Sequence, residues 1–255
     1  MSTSCIASGA FAQPAKSNDP GSASTPPKAA EQDPAAALLK NVAEHYASAK
    51  TYSDKGEITS TLDVNGRAIT SHMPFSTAFE RNGRFFWEFR SSPVPGQAPT
   101  EQYKVWSHDQ KTFKSHWTLD NAKTDSFDSM HMALAGPTGI SSGQVLTIIP
   151  LLCRDLPLPA RTTDLKNAKL IGKERIDNQD CTKVMGKGLG NCDETLWIDA
   201  SLAIRRIKED VTVDPSKIQG APNPHAKPFQ VLTVIDFKPI FDEKLPDSAF
   251  EPPEK

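Results

Sequence analysis

The chain has no run of apolar residues approaching the roughly 18 to 20 needed to cross a bilayer as a helix. It has no Cys-x-x-Cys or His-x-x-x-His pair, and its formal charge is only −2, with a pI near 6.3. Each shortage removes a class of function. Without a long apolar run no helical membrane span is expected, and the folded part should be soluble. Without paired soft ligands zinc is disfavoured, and neither a metal nor a cofactor is expected. A charge this small sets up no field to gather DNA, RNA or anionic head groups, so nucleic acid is not expected as a partner. No strong set of acids, bases or nucleophiles fills the gap these exclusions leave.

What is present is an alternating apolar pattern. Ile69, Met73, Phe75 and Phe79 share one strand face, Phe85, Trp87 and Phe89 follow, then Phe113, Trp117 and Leu119. Period-two spacing of bulky side chains predicts antiparallel sheet with one broad apolar face. Charges of both signs on the alternate positions suit a solvated outer face.

Asp33 and Pro34 have the form of an N-cap and a first helical residue. Leu38, Val42 and Tyr46, with Leu39 alongside, make an apolar stripe that runs out near Lys50. Strands are predicted at about 54–64, 67–80, 85–92, 101–109 and 112–119, with Asn65-Gly66 and Asn82-Gly83 as hairpin signals. Short helices are expected at 125–135 and 141–153, around Gly136-Pro137-Thr138-Gly139. Strands resume near 168–177, 181–188, 193–200, 203–213 and 229–240. About ten strands in one antiparallel sheet tend to curl. The expected class is therefore α+β: an unclosed half-barrel with an N-terminal helix and two mid-chain helices as plug or lid. If its inner aromatics outnumber the apolar side chains on those helices, a void remains that an acyl chain could fill. For any single aromatic, burial as ordinary core is the competing reading.

Residues 1–34 read as a remnant of an export signal and a disordered linker, ahead of one domain over 35–255. From Gln13 to Asp33 the residues are mostly Pro, Ser, Ala, Gly, Asn and Lys, too polar to offset ordering entropy. Ala10-Phe11-Ala12 has the small-x-small form of a cleavage site, with Met1 as a truncated start; an ordinary flexible N-terminus is the alternative. Cys5 lacks the branched apolar residue three places ahead that a lipid-modified cysteine usually has.

Cys181 and Cys192, flanking Gly186, Gly188 and Gly190, form a candidate disulfide across a hairpin, or else two buried thiols. Cys153 reads as core. Gly139-Ile140-Ser141-Ser142-Gly143 satisfies Gly-x-Ser-x-Gly, with Asp199 and His225 later in the chain. A nucleophile elbow must follow a buried parallel strand, however, and no βαβ repeat is predicted. Asp125 and Asp128 read as helix-start residues. His108 and His116 flank a hairpin and lack further ligands.

Three segments resemble the outer-membrane lipoprotein carrier LolA and its exported relatives. Arg81-Asn82-Gly83-Arg84-Phe85-Phe86-Trp87 is similar to the carrier's arginine with phenylalanine four on and tryptophan six on. Leu196-Trp197-Ile198-Asp199 followed by Ile204-Arg205-Arg206-Ile207 resembles a strand pair of the wider family. Phe241 to Pro253, with Phe250, Pro252 and Pro253, resembles its closing Phe-x-x-Pro-Pro. The resemblance implies an unclosed barrel with an internal lid and a cavity for lipoprotein acyl chains. It implies Arg81 as lid latch, and Phe85 as a residue that keeps cargo transfer one-directional. The Gly-rich segment 135–143 and the cysteine hairpin fit the divergent relatives better than the carrier itself. The expected function is thus a non-catalytic periplasmic carrier of lipid or lipoprotein acyl chains, monomeric, with envelope membrane complexes as further partners. Cavity candidates are Ile69, Met73, Phe75, Phe79, Phe85, Trp87, Phe89, Phe113 and Trp117. The alternatives are an interaction or envelope-sensing module with a filled core and, last, a serine hydrolase at Ser141.

Overall fold

The computed structural model describes residues 33–64, 66–81, 83–92, 97–119, 123–217 and 227–251. The expectations for residues 1–32, and those resting on Asn65, Asn82, His225, Pro252 and Pro253, lie outside these residues. Among the described residues no helix is long and apolar enough to cross a membrane.

Helix α1 spans Pro34–Ser48, and the Asp33 side chain accepts from the Ala35 N–H at 2.9 Å. Ala35, Leu39, Val42 and Tyr46 are buried along one stripe. The Tyr46 hydroxyl accepts from the Ile204 N–H at 3.0 Å, which pins the helix to the sheet. A meander follows: β1 (Thr51–Val64), β2 (Arg67–Glu80), β3 (Phe85–Ser91), β4 (Glu101–Ser107), β5 (Phe113–Trp117) and β6 (Thr124–Phe127). Helices α2 (Met130–Ile140) and α3 (Ile149–Leu152) come next, separated by a 3-10 turn at Gln144–Leu146. The chain returns through β7 (Lys166–Ile176), β8 (Gln179–Lys187), β9 (Asp193–Asp199), β10 (Ile204–Val213), β11 (Phe229–Phe237) and β12 (Ile240–Phe241).

These strands form one 12-stranded sheet in the order β6-β5-β4-β3-β2-β1-β11-β10-β9-β8-β7, with β12 on β1. Every pairing is antiparallel, and β6 and β7 keep free edges, so the sheet is not closed. The two meanders meet where β1 lies between β2 and β11.

The expected half-barrel with helices is the observed architecture, with four corrections. The sheet has twelve strands rather than ten. Residues 125–127, expected to begin a helix, instead pair with β5, Phe127 opposite Phe113; the helix begins after Ser129, whose side chain accepts from the Met132 N–H. The helix expected over 141–153 breaks up because Ser142 and Gly143 adopt positive φ, 49° and 80°, a backbone region that ends helices. The last expected strand, 229–240, divides at Pro239, which has no N–H for a ladder.

The helices cover one face of the sheet, the inner face. Across the outer face runs the C-terminal segment, where Phe250 packs on Ala78, Phe86 and Trp106. Arg84 fastens it, bonded to Glu80 at 2.9 Å and Asp247 at 2.6 Å with its guanidinium 4.2 Å from the Phe250 ring centre.

Candidate functional site

Because register fixes which side chains share a face, the inner face can be read row by row. One row carries Asp54, Thr77, Trp87, Val105 and Ser115; the next carries Phe237, Gly56, Phe75, Phe89, Tyr103 and Trp117. A Cβ at Gly56 would collide with the Phe75 ring, so glycine there lets that ring lie across β1 and meet Phe237 edge-on at 5.5 Å. Trp87 stacks on Phe89 at 5.9 Å, and its indole N–H donates to Gln144 Oε1 at 2.9 Å. The aromatic wall is thereby tied to the segment that covers it.

Met73, Phe75, Phe79, Phe85, Trp87, Phe89 and Phe113 all belong to the main core, none more than 8% exposed. Trp117 is half-buried against that core, and Ile69 is half-buried away from it. Tyr46 of the α1 stripe is in the same core, and so are Tyr103, Val105 and Leu134, which the sequence pattern does not single out.

Arg81 sits where this wall meets the helices. Its Nε donates to the Ala49 carbonyl at 2.7 Å, one terminal nitrogen to Tyr46 at 3.2 Å and the other to Leu152 at 3.2 Å. One planar guanidinium so gathers carbonyls from the ends of α1 and α3, groups a helix end leaves without partners. The guanidinium carbon also lies 5.2 Å from the Phe79 ring centre.

Two places on the inner face hold buried acids. Asp54 Oδ2 accepts from the Tyr52 hydroxyl at 2.8 Å. Burial pushes its carboxyl up to about 6, while Tyr52 and Thr77 pull the other way. Thr77 lies close enough to ease the charge, yet its hydroxyl and Asp54 Oδ1 meet hydrogen-bond geometry with none of the described residues. On the other half of the sheet, Glu194 and Glu209 face each other across β9 and β10. Burial, then the neighbouring Glu209, raises Glu194 to about 8, and burial raises Glu209.

Cys181 and Cys192 are not bridged: Cys181 pairs with Asp199, whereas Cys192 precedes Asp193, the partner of Lys187, at the other end of the hairpin. Six ladder positions separate them by about 20 Å, beyond any disulfide. Cys153 is a free thiol that burial pushes up to about 12. Ser141 is fully buried at the end of α2, with no strand before it, and Asp199 is held by Arg205 at 2.6 Å and Ser201 at 2.6 Å. This is not a nucleophile elbow. His116 faces Lys104, and among the described residues no group of three or more His, Cys, Asp or Glu side chains could hold a metal. A groove of about 920 Å³ lies under the C-terminal segment, lined by Lys55, Phe86, Glu88, Arg90, Lys238 and Ile240 among others. Its mixed charges set it apart from the aromatic wall.

Neither a protein-family model nor a curated protein matches the chain. Among solved structures it is similar to a DUF1329 family protein from Desulfovibrio piger, 15% identical, covering 86% of this chain and 98% of that one at a TM-score of 0.36. It is similar to LprF from Mycobacterium bovis, 11% identical over 87% and 97% of the chains at 0.43. Its likeness to the Pseudomonas aeruginosa MucA/MucB complex is 12% identical over 86% of this chain and 60% of that one, also at 0.43. Likenesses this weak do not extend to function.

Proposed function

We propose that this chain is a non-catalytic carrier that takes lipid or lipoprotein acyl chains onto the inner face of an exported half-barrel. The observation that carries the reading is the Arg81 clamp: one side chain ties the ends of α1 and α3 together beside a wall of aromatics. The covering segment is weakly built. α2 contains Gly136, Pro137 and Gly139, and α3 is a single turn, so their helicity rests on packing rather than propensity. Such segments open at low cost. In this closed form the helices occupy the place an acyl chain would take; opening exposes Phe79, Phe85, Trp87 and Phe89 to cargo. Arg81 then acts as latch, releasing carbonyls that cargo displaces.

Two measurements test it. Mass spectrometry of protein purified from envelope extracts is expected to show bound acyl chains. Delipidated protein is expected to take up an apolar fluorescent probe, faster in Arg81→Leu and far less in Phe79→Glu. A delipidated protein that binds no amphiphile would remove the carrier reading.

One observation favours a second reading. The aromatic wall is covered in the closed form, as in a filled core that serves only to present an edge strand or the outer groove to a protein. That module would bind its partner unchanged when the wall is filled and would show no probe uptake.

A further inference from the structure

Two rows of the inner face lie beyond the packed core. The innermost of the neighbouring rows, Val184, Leu196, Ile207, Ile235, Ile58 and Met73, is buried throughout. Next to it stand Glu194, Glu209, Thr233, Ser60 and Ser71, one on each of five adjacent strands. The row after that is apolar again: Val211, Val231, Leu62 and Ile69, all only half-buried. A polar stripe so separates closed core from an accessible apolar strip.

Glu194 is 4% exposed, and its carboxylate sits against the backbone of Gly188, where a Cβ would strike it. Neither Glu194 nor Glu209 forms a hydrogen bond or ion pair with another described side chain, and both lie near enough to the Cys192 thiol to help burial push it up. Independently, Thr233, directly opposite Glu209 on the same face, is 5% exposed and its hydroxyl bonds no described residue. Three adjacent strands, each about 4.8 Å from the next, thus point three unpartnered oxygen-bearing groups into one spot. No described residue satisfies these groups, and unlike Asp54 Oδ1 and Thr77 Oγ1 their oxygens are not fully enclosed, so the spot stays open to a head group.

We propose that this stripe is a binding site for the primary ammonium head of an amphiphile, whose tail lies along Leu62, Ile69, Val211 and Val231. The inference rests on the carrier reading and adds the chemistry of the head group. An –NH₃⁺ offers three donors, and Glu194, Glu209 and Thr233 offer acceptors on three strands. Its single positive charge offsets a carboxylate pair that cannot comfortably hold two negative charges. A hard divalent cation would need six or more oxygens, and only two carboxylates face the spot. Successive rows are about 6.7 Å apart along the strands, so a head on the polar row places the first methylenes on the apolar one.

The test compares single-chain probes of equal length on delipidated protein, at neutral pH and below their micelle concentrations: dodecylammonium, dodecyltrimethylammonium, dodecanol and dodecanoate. Binding is followed by calorimetry. Dodecylammonium is expected to bind at least about tenfold tighter than dodecanol, since hydrogen bonds to charged groups contribute roughly 1.5 to 3 kcal/mol. It should also exceed dodecyltrimethylammonium, which has the charge but no N–H donors. The Glu194→Gln/Glu209→Gln protein should bind dodecylammonium no better than dodecanol. Thr233→Val, a near-isosteric change, should weaken it severalfold and leave dodecanol unaltered, which keeps the test intact if the double variant folds poorly. Equal affinity for dodecylammonium and dodecanol, or equal affinity for the two cations, overturns the ammonium site while leaving the carrier reading in place. Displacement of dodecylammonium by calcium at comparable affinity overturns it in favour of a metal site. Failure of dodecanol itself to bind sinks the carrier reading, and the ammonium site with it.

Discussion

The two wings of this sheet bury different things. From β2 to β5 the inner face is aromatic, and it is covered by α2, the 3-10 turn and α3, with Trp87 bonded to the cover through Gln144. From β8 to β11 it is aliphatic, interrupted by Glu194 and Glu209, and Tyr46 of α1 reaches it at Ile204. A sheet built only for stability would have apolar residues inward on both wings, because buried carboxylates cost stability unless they are paired. The aromatic wing is a core whose cover is built from a glycine- and proline-containing helix and a single turn. The acidic wing keeps a polar stripe at the edge of the core. The difference separates what holds the fold from what the fold holds in reserve.

The largest test strikes the aromatic wing. Trp87→Ala should cost about 3 to 5 kcal/mol, the range for deleting a buried large aromatic, and it also strands Gln144 Oε1. Its distinguishing mark is local: hydrogen exchange in 130–152 should speed up more than in β8–β11. Leu196→Ala on the other wing should cost about 2 to 5 kcal/mol without loosening that cover. Equal acceleration everywhere in both variants would mean that the wings are one cooperative unit and the cover no lid.

Next comes the acidic wing. Glu194 is raised from its ordinary 4.5 to about 8 by burial and by Glu209, so between those values the folded state holds more protons than the unfolded one. Stability must then fall as pH rises through that window and level off above it. Glu194→Gln removes the penalty and should be more stable than the parent by roughly 5 kcal/mol at pH about 9, with the two converging near pH 4. Urea midpoints against pH decide this. A parent whose midpoint does not drop over that interval would show that the pair is solvated, and the contrast between the wings would lose its basis.

Much of the contrast was already written in the chain, but unevenly. The hairpin at Gly66 fixed the register of β1 on β2, so alternation alone placed Met73, Phe75 and Phe79 on one face with Phe85, Trp87 and Phe89 behind them. The acids were equally visible in principle: Glu194-x-Leu196-x-Ile198 and Ile207-x-Glu209-x-Val211 each put a carboxylate at an inward position of a period-two apolar run. Alternation alone does not single them out, because a charged residue in a strand is ordinarily solvated. Arg81 could be tied to a lid only through a family resemblance. Its three carbonyl partners, on Ala49, Tyr46 and Leu152, lie 32 to 71 residues away, and no local pattern encodes such a meeting. The cover was misread for a related reason. Helix propensity stopped α2 before Gly136-Pro137, whereas packing against β4–β6 carries it through to Ile140.

That override supplies the smallest and most direct test of the lid. Gly139 lies within α2, and a Cβ there meets nothing within 4 Å, so Gly139→Ala should stabilise the helix by about 0.5 to 1 kcal/mol through propensity alone. Three residues earlier, a Cβ on Gly136 would stand 2.9 Å from the Tyr103 hydroxyl oxygen, so the same change must push the helix or the tyrosine aside. One substitution should therefore tighten the cover and the other loosen it. If α2 is a lid, Gly139→Ala slows uptake of an apolar probe and Gly136→Ala speeds it, while the pH dependence set by Glu194 stays the same in both. Opposite shifts in stability with identical uptake rates would leave α2 as part of the core, and the aromatic wing would have no door.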